Sequence, residues 1–363
     1  MPKNKINRRG LSFFCLQTLF LLFLIQVTSI AQQTKYELYG YSQIDFSASS
    51  QQGTKSGFSQ RRLNLIGEYF LDKNIRVLND IEYENGTDIS PTDSNSTGVI
   101  KVSRMWIEYS VAPQLKIRAG KMFTPFGLYN LIHDASASYF PVDPPIMYSS
   151  LKLFNGLPAQ RLFAKYYTGI EFLGIFEIDS GGGQLEYSVG IGNGRGISKF
   201  GEDLNNNRSL SFRAMYRPSF LEGLQFGTSY YFDRNYYGIG GVKNDDEYSA
   251  GLDIQYENDN LQLQTEGLVS SYKLLSGKKD LLTVGYIQAA YTFYDVLTPF
   301  VNYTFINNNV KSNEVSFSRL NFGINWAVSI NLFLKSEIQF HESEEEHSDK
   351  SFKVFKISAA IAF

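Results

Sequence analysis

Apolar and polar side chains alternate with a period of two along almost the whole chain, whereas the i, i+3, i+4 spacing of amphipathic helices is nearly absent. Between 58 and 71, Leu63, Leu65, Tyr69 and Leu71 fall on one face and Gln60, Arg62, Asn64 and Glu68 on the other. Between 208 and 217, Leu210, Phe212, Ala214 and Tyr216 oppose Ser209, Ser211, Arg213 and Arg217. Between 261 and 272, Leu261, Leu263 and Val269 oppose Gln262, Gln264, Glu266 and Ser270. The last segment sets Phe355, Ile357, Ala359, Ile361 and Phe363 against Lys356, Ser358, Ala360 and Ala362. The pattern predicts sixteen strands, at 34–47, 58–71, 75–85, 99–111, 115–124, 160–178, 184–194, 208–217, 223–233, 247–257, 261–272, 282–294, 298–306, 316–326, 330–341 and 351–363.

A soluble sandwich would alternate in the same way, so the connections decide between the two. Every second one is very short, as at Asp72-Lys73-Asn74, Ala112-Pro113-Gln114 and Asn258-Asp259-Asn260, and the others are longer and polar. Short turns at one end and long loops at the other are the topology of a transmembrane β-barrel, and an even strand number returns both termini to the turn side. In hydrocarbon each unsatisfied backbone N–H or C=O costs several kcal/mol, so a membrane-spanning sheet must close on itself. The expectation is therefore an all-β, antiparallel transmembrane barrel of about sixteen strands. That strand number leaves a lumen wide enough for water, where eight strands would be filled by side chains.

The amino terminus supports export. Lys3, Lys5, Arg8 and Arg9 precede an apolar run from Leu11 to Val27, and Ser29-Ile30-Ala31 supplies small residues for cleavage, which predicts a signal peptide over 1–31 and one barrel domain over 32–363. The apolar run is shorter than the roughly 20 residues of a spanning helix. Cys15, the single cysteine, lies in this leader, so the mature chain has no disulfide or thiol chemistry. Without the leader, 30 basic residues face 36 acidic ones, which gives no support for nucleic-acid binding. The 24 Tyr and 29 Phe suit the aromatic girdles of a membrane interface.

Gly120-Lys121-Met122-Phe123-Thr124-Pro125-Phe126-Gly127-Leu128, after the strand Leu115-Lys116-Ile117-Arg118-Ala119, resembles the phosphate-selective porin (porin O and P) family. Arg61-Arg62-Leu63-Asn64-Leu65-Ile66-Gly67 and the terminal Phe363 are further points of likeness. The resemblance implies a sixteen-stranded outer-membrane porin, often trimeric, with its third loop folded into the lumen. Phosphate-specific members line the pore with arginines and a lysine cluster. Here Arg62, Arg76, Arg104, Lys116 and Arg118 are interleaved with Asp45, Glu68, Asp80, Glu82 and Glu108, so a general channel for small hydrophilic solutes or ions is expected, with an anion- or phosphate-selective channel as the alternative.

The connection from Pro125 to Ala159, about 35 residues, is far longer than an ordinary loop. Its aromatic content suits a segment packed against an inner wall, and Asp134 and Asp143 are expected to approach Arg62, Arg104 and Arg118 across a narrow eyelet. The expected lining is Arg62, Arg76, Arg104, Arg118, Lys121, His133, Asp134 and Asp143. The expected partners are outer-membrane lipids and lipopolysaccharide, the barrel-assembly machinery through Phe363, small solutes, and two further copies in a homotrimer. No cofactor, metal or catalytic residue is expected: His133, His341 and His347 are dispersed, and His341 falls on the lumenal register, away from any lipid-facing Ser–His pair. The acidic run 342–349 could hold a divalent cation or simply be a solvated loop. A closed structural or adhesin-like barrel is the other class of reading, and it would need a plug segment that the chain does not show.

Overall fold

The computed structural model describes residues 35–84, 98–132, 136–149, 161–178, 181–194, 206–235, 245–273, 279–308, 316–343 and 351–363. Sixteen strands close into one antiparallel barrel. They are β1 (Lys35–Ser49), β2 (Gly57–Phe70), β3 (Ile75–Glu84), β4 (Val99–Ala112), β5 (Leu115–Phe123), β6 (Tyr166–Glu177), β7 (Gln184–Asn193) and β8 (Arg208–Arg217). The second half comprises β9 (Leu224–Asn235), β10 (Asp245–Glu257), β11 (Leu261–Lys273), β12 (Lys279–Tyr291), β13 (Leu297–Asn308), β14 (Phe317–Ala327), β15 (Leu332–Ser343) and β16 (Ser351–Ala362). Helical structure among the described residues is confined to the third loop, in α1 (Tyr129–Ile132) and two short 3₁₀ turns at Ser136–Ser138 and Ile146–Tyr148.

Each strand pairs with its neighbour in sequence, and β1 closes the ring on β16. Phe363 completes that seam: its N–H donates to the Gly40 carbonyl at 2.9 Å and its carbonyl accepts the Gly40 N–H at 2.7 Å. The phenyl ring lies over Gly40, where a Cβ would stand 2.8 Å from the ring and also meet the Asn64 carbonyl. Gly40 is thus the gap that lets the terminal aromatic lock the closing seam.

The polarity is inverted relative to a soluble barrel. Leu65, Ile81, Ile107, Ile170, Leu252, Ile287, Phe322 and Ile357 are exposed on the outer face, while Asn64, Asp80, Glu82, Glu266 and Lys335 are buried inside. Tyr69, Tyr109, Tyr187, Tyr216, Tyr256, Tyr291 and Trp326 stand at outward positions of the turn-side ends, an aromatic girdle at one membrane boundary.

The alternation located the strands to within a few residues, with one larger difference. β6 begins at Tyr166, because Leu162, Phe163 and Ala164 are consecutively buried in the core of the third loop and cannot share a two-sided strand. A finer correction concerns β2. A bulge at Arg61 makes Gln43 pair with Arg62 and Ile44 with Gln60. Arg61 therefore joins Arg62 on the inner face, and Gln60, expected inside, moves opposite the exposed Ile44.

Candidate functional site

The inner wall of β2–β6 is built from ion pairs between direct cross-strand partners. Arg76 faces Glu108, Glu108 faces Arg118, and Arg118 faces Glu171. The contacts are 3.1 Å for Arg76 Nη2–Glu108 Oε1, 2.7 Å for Arg118 Nη2–Glu108 Oε2 and 2.8 Å for Arg118 Nη1–Glu171 Oε2. Glu68 extends this belt at 3.4 Å from Arg76 Nη1. The Trp106 ring fills the space above it, 5.0 Å from the Arg76 guanidinium and 4.3 Å from that of Arg118.

Nearer the long-loop side, a second bulge skips Ser103 and sets Arg104 opposite Asp80, with Arg104 Nε donating to Asp80 Oδ2 at 3.0 Å. Lys101 bridges Glu82, at 3.2 Å, and Glu84. On the far wall Arg213 grips Asp253 through two hydrogen bonds of 2.7 and 3.0 Å.

These pairs are layered. Arg76 is 30 % exposed over Glu108 at 3 %, Arg104 17 % over Asp80 at 0 %, and Arg61 28 % over Asp45 at 9 %. In these three pairs the carboxylate lies against the wall and the guanidinium overhangs the lumen, so each turns its cationic side to a passing solute.

The third loop leaves the wall between β5 and β6, enters the lumen and is anchored at two places along the arc that runs from β9 through β16 to β2. At the first anchor the Gly127 N–H donates to Ser229 Oγ at 2.9 Å, Tyr129 Oη to Gln264 Oε1 at 3.1 Å, and Tyr148 Oη to Glu266 at 2.6 Å. Gly127 adopts φ +63, and a Cβ there would strike both Tyr148 Oη and Glu266 Oε1, so a side chain is barred twice over. Phe126, Tyr129, Met147, Tyr148, Leu162 and Phe163 pack against Tyr231, Leu268, Leu282, Val284 and Tyr286 of the inner wall in one apolar cluster. This cluster accounts for the loop's aromatic composition.

At the second anchor the loop backbone is read by β14–β16. The Lys335 ammonium donates to the carbonyls of Ser136, Tyr139 and Pro141, the last at 3.1 Å, and stands 4.6 Å from the Tyr139 ring centre. Glu337 Oε2 accepts the Val142 N–H at 2.9 Å, and Arg319 Nη2 donates to the Pro144 carbonyl at 3.3 Å. Asp143 pairs with Arg61 at 2.5 Å and with Lys356, and accepts from Gln339 Nε2 at 3.2 Å. Burial pushes the Asp143 carboxyl up, but the charges of Lys356, Arg61 and Arg319 outweigh it and hold the group well below the usual carboxylate range. Burial raises the Tyr139 phenol to about 12, with Arg62 and Arg61 pulling the other way.

Arg62, Arg76, Arg104 and Arg118 stand on the inner wall of the barrel. Asp143 does not reach Arg62, Arg104 or Arg118; its partners are Arg61 and Lys356, because the bulge turns Arg61 inward and the loop runs to the β16–β1 seam. Lys121 falls in the outward register, three residues from inward-facing Arg118, opposite exposed Met105 and Thr168. Its ammonium donates to the Val102 carbonyl at 2.7 Å. His133, Asp134, His347 and most of the acidic run 342–349 lie outside the described residues. Sequence reasoning missed Arg61, Arg319, Lys335 and Lys356 as loop anchors. Alternation does place Lys356 on the inner face, but nothing in the pattern says which wall the loop will reach.

No protein-family model and no curated protein matches the sequence. Solved structures do match. An anion-selective porin from Comamonas acidovorans superposes with a TM-score of 0.64 at 13 % identity, covering 91 % of this chain and 100 % of that one. The outer membrane channel DcaP of Acinetobacter baumannii gives 0.61 at 10 % identity, covering 91 % and 97 %. Salmonella typhi OmpF in complex with daunomycin gives 0.61 at 11 % identity, covering 91 % and 98 %. Over nearly its whole described length, then, the chain has the sixteen-stranded barrel fold that these outer-membrane proteins share.

Proposed function

We propose that the protein is an outer-membrane porin, a water-filled channel through which small hydrophilic solutes diffuse passively, with the third loop forming its constriction. The observation that carries this reading is the loop that springs from β5–β6 and is held inside the lumen against β9–β16 of a barrel whose outer face is apolar. A loop held inside a lumen wide enough for water leaves a passage bounded by the loop on one side and the charged β2–β6 wall on the other. The layering of guanidiniums over carboxylates supports a weak preference for anions, and the anion-selective porin among the structural neighbours agrees with it. The interleaved carboxylates argue against strict phosphate selectivity, so kinship with the phosphate-selective porins is proposed at the level of architecture. Cleavage after Ala31, assembly through Phe363 and a homotrimer complete the proposal. Vibrio cholerae OmpT, solved in a trimer form, has the same fold at 9 % identity and a TM-score of 0.59.

Planar-bilayer recording tests it. The purified protein should give steady single-channel steps, with a reversal potential in a salt gradient of the sign for modest anion preference. Deleting residues 133–150 should raise single-channel conductance severalfold. A correctly assembled deletion variant with unchanged conductance would remove the loop from the constriction.

A further inference from the structure

The two halves of the inner wall differ in chemistry. Ion pairs line β2–β6, whereas one carboxamide stands on every strand from β9 to β15, each the direct cross-strand partner of the next. Gln225 faces Gln255, Gln255 faces Gln264, and Gln264 faces Gln288. The row continues through Asn302 and Asn321 to Gln339. Hydrogen bonds run along it, from Gln225 Nε2 to Gln255 Oε1, from Gln288 Nε2 to Gln264 Oε1 at 3.2 Å and from Asn302 Nδ2 to Gln288 Oε1 at 3.4 Å. At one end Gln225 and Gln255 are half-buried, as is Gln262, the inward residue of β11 next toward the turns. From Gln264 to Gln339 the row is buried, and the third loop touches both of those residues, through Tyr129 and Asp143. Within that stretch Asn321 is wholly buried, yet neither its Oδ1 nor its Nδ2 meets a partner among the described residues. Tyr286 Oη, one row nearer the long loops, is likewise buried and unpartnered.

A buried amide with donor and acceptor both unmet is costly and rare in native proteins, and it marks a place for a polar guest. At the open end the row uses Gln225 Nε2 and Gln262 Oε1, which leaves Gln225 Oε1 as an acceptor and Gln262 Nε2 as a donor. A carboxamide offers both functions without charge, and a hydroxyl group answers with both. Anions are disfavoured here: Glu257 accepts from Gln255 at one end, and Glu337 and Asp143 accept from Gln339 at the other. The guanidiniums that suit an anion stand on β2–β6. We propose that the amide row is the binding track for an uncharged, hydroxyl-rich solute of mono- or disaccharide size. The solute enters at Gln225, Gln255 and Gln262, exchanges one amide for the next at the strand spacing of about 4.8 Å, and reaches Asn321 at the covered end. The inference rests on the channel reading above and gives that channel a solute class.

The test records the block of ion current in planar bilayers by maltose and by a polyethylene glycol of equal hydrodynamic size, whose ether oxygens accept but do not donate. Each block is expressed as a fraction of the same preparation's own open-channel current. In the wild type, maltose should reach half-block at a concentration about tenfold below that of the polymer. The combined variant Gln225→Leu, Gln255→Leu and Gln262→Leu should need as much maltose as polymer. Asn321→Leu alone should need severalfold more maltose than the wild type. Equal block by the two probes in the wild type, or an undiminished maltose block in either variant, would overturn the proposal. The wild-type comparison decides by itself where a variant does not assemble. The two readings stay apart: a steady channel that both probes block alike loses the track and keeps the channel. Maltose bound in titration calorimetry by protein that passes no current would count against the channel alone.

Discussion

Asn64 and Leu65 are adjacent in sequence but occupy different solvents. Asn64 is buried inside and donates to Asp80 at 2.9 Å, while Leu65 is 42 % exposed on the outer face. Leu65→Arg should therefore destabilise the barrel by about 2–4 kcal/mol near mid-membrane, measured by urea titration of the folded protein in lipid; a loss of a few tenths would put that face in water. The lumenal arginines make the complementary case. Neutralising Arg62, Arg104 and Arg118 together should lower the anion-to-cation permeability ratio severalfold, read from the reversal potential in a salt gradient. Loss of Arg104 and Arg118 uncovers the carboxylates beneath them, Asp80 and Glu171. Asp143 sets the pH response. A carboxyl whose pKa falls on folding contributes stability that is complete above its unfolded value, 3.8, and that disappears as pH drops through the lower folded value. Single-channel noise should thus stay constant from pH 8 to about 4 and rise only below that, whereas Asp143→Asn should be noisy throughout.

At the scale of elements, the third loop and the β16–β1 seam illustrate two ways of fixing a chain. The loop is held by an apolar cluster on β9–β13 and by directed polar contacts on β14–β16, so neither anchor alone determines its path. The seam depends on one close approach, the Phe363 ring over Gly40. Gly40→Val should slow closure of the barrel about as much as deletion of Phe363, because both empty or block the same contact. The measure is the rate at which the unheated, fast-migrating band appears on a gel during refolding. Unimpaired folding of both variants would mean the seam closes through its ladder hydrogen bonds alone.

For the whole molecule, closure explains why a chain with buried ion pairs and exposed isoleucines is stable. Every strand has two partners, so no backbone edge meets hydrocarbon, and the ladder bonds are made regardless of side-chain polarity. The polar groups then accumulate inside, where cross-strand pairing neutralises them in rows, and the apolar ones outside, where lipid takes the place of a core. The size of the lumen follows from strand number, and its usable width from how much of it the loop occupies.

Strand number, the short-turn and long-loop ends, the inward set of Arg76, Arg104, Arg118, Asp80 and Glu108, and the terminal Phe363 were all legible in the sequence, because a period of two and the length of each connection are local properties of the chain. Three features were decided only by the tertiary structure. The bulge at Arg61 adds one residue to one strand and reverses the facing of Gln60 and Arg61, and its cause lies in pairing with β1. Lys121 matched a family-like motif, but its face is set by the register with Met105 and Thr168, which turns it outward. The partners of Asp143 come from β2 and β16, some 80 and 210 residues away in sequence, and only closure of the ring brings those strands together. Alternation assigns each side chain to a face; which charges meet across the lumen depends on distances that exist only once the barrel has closed.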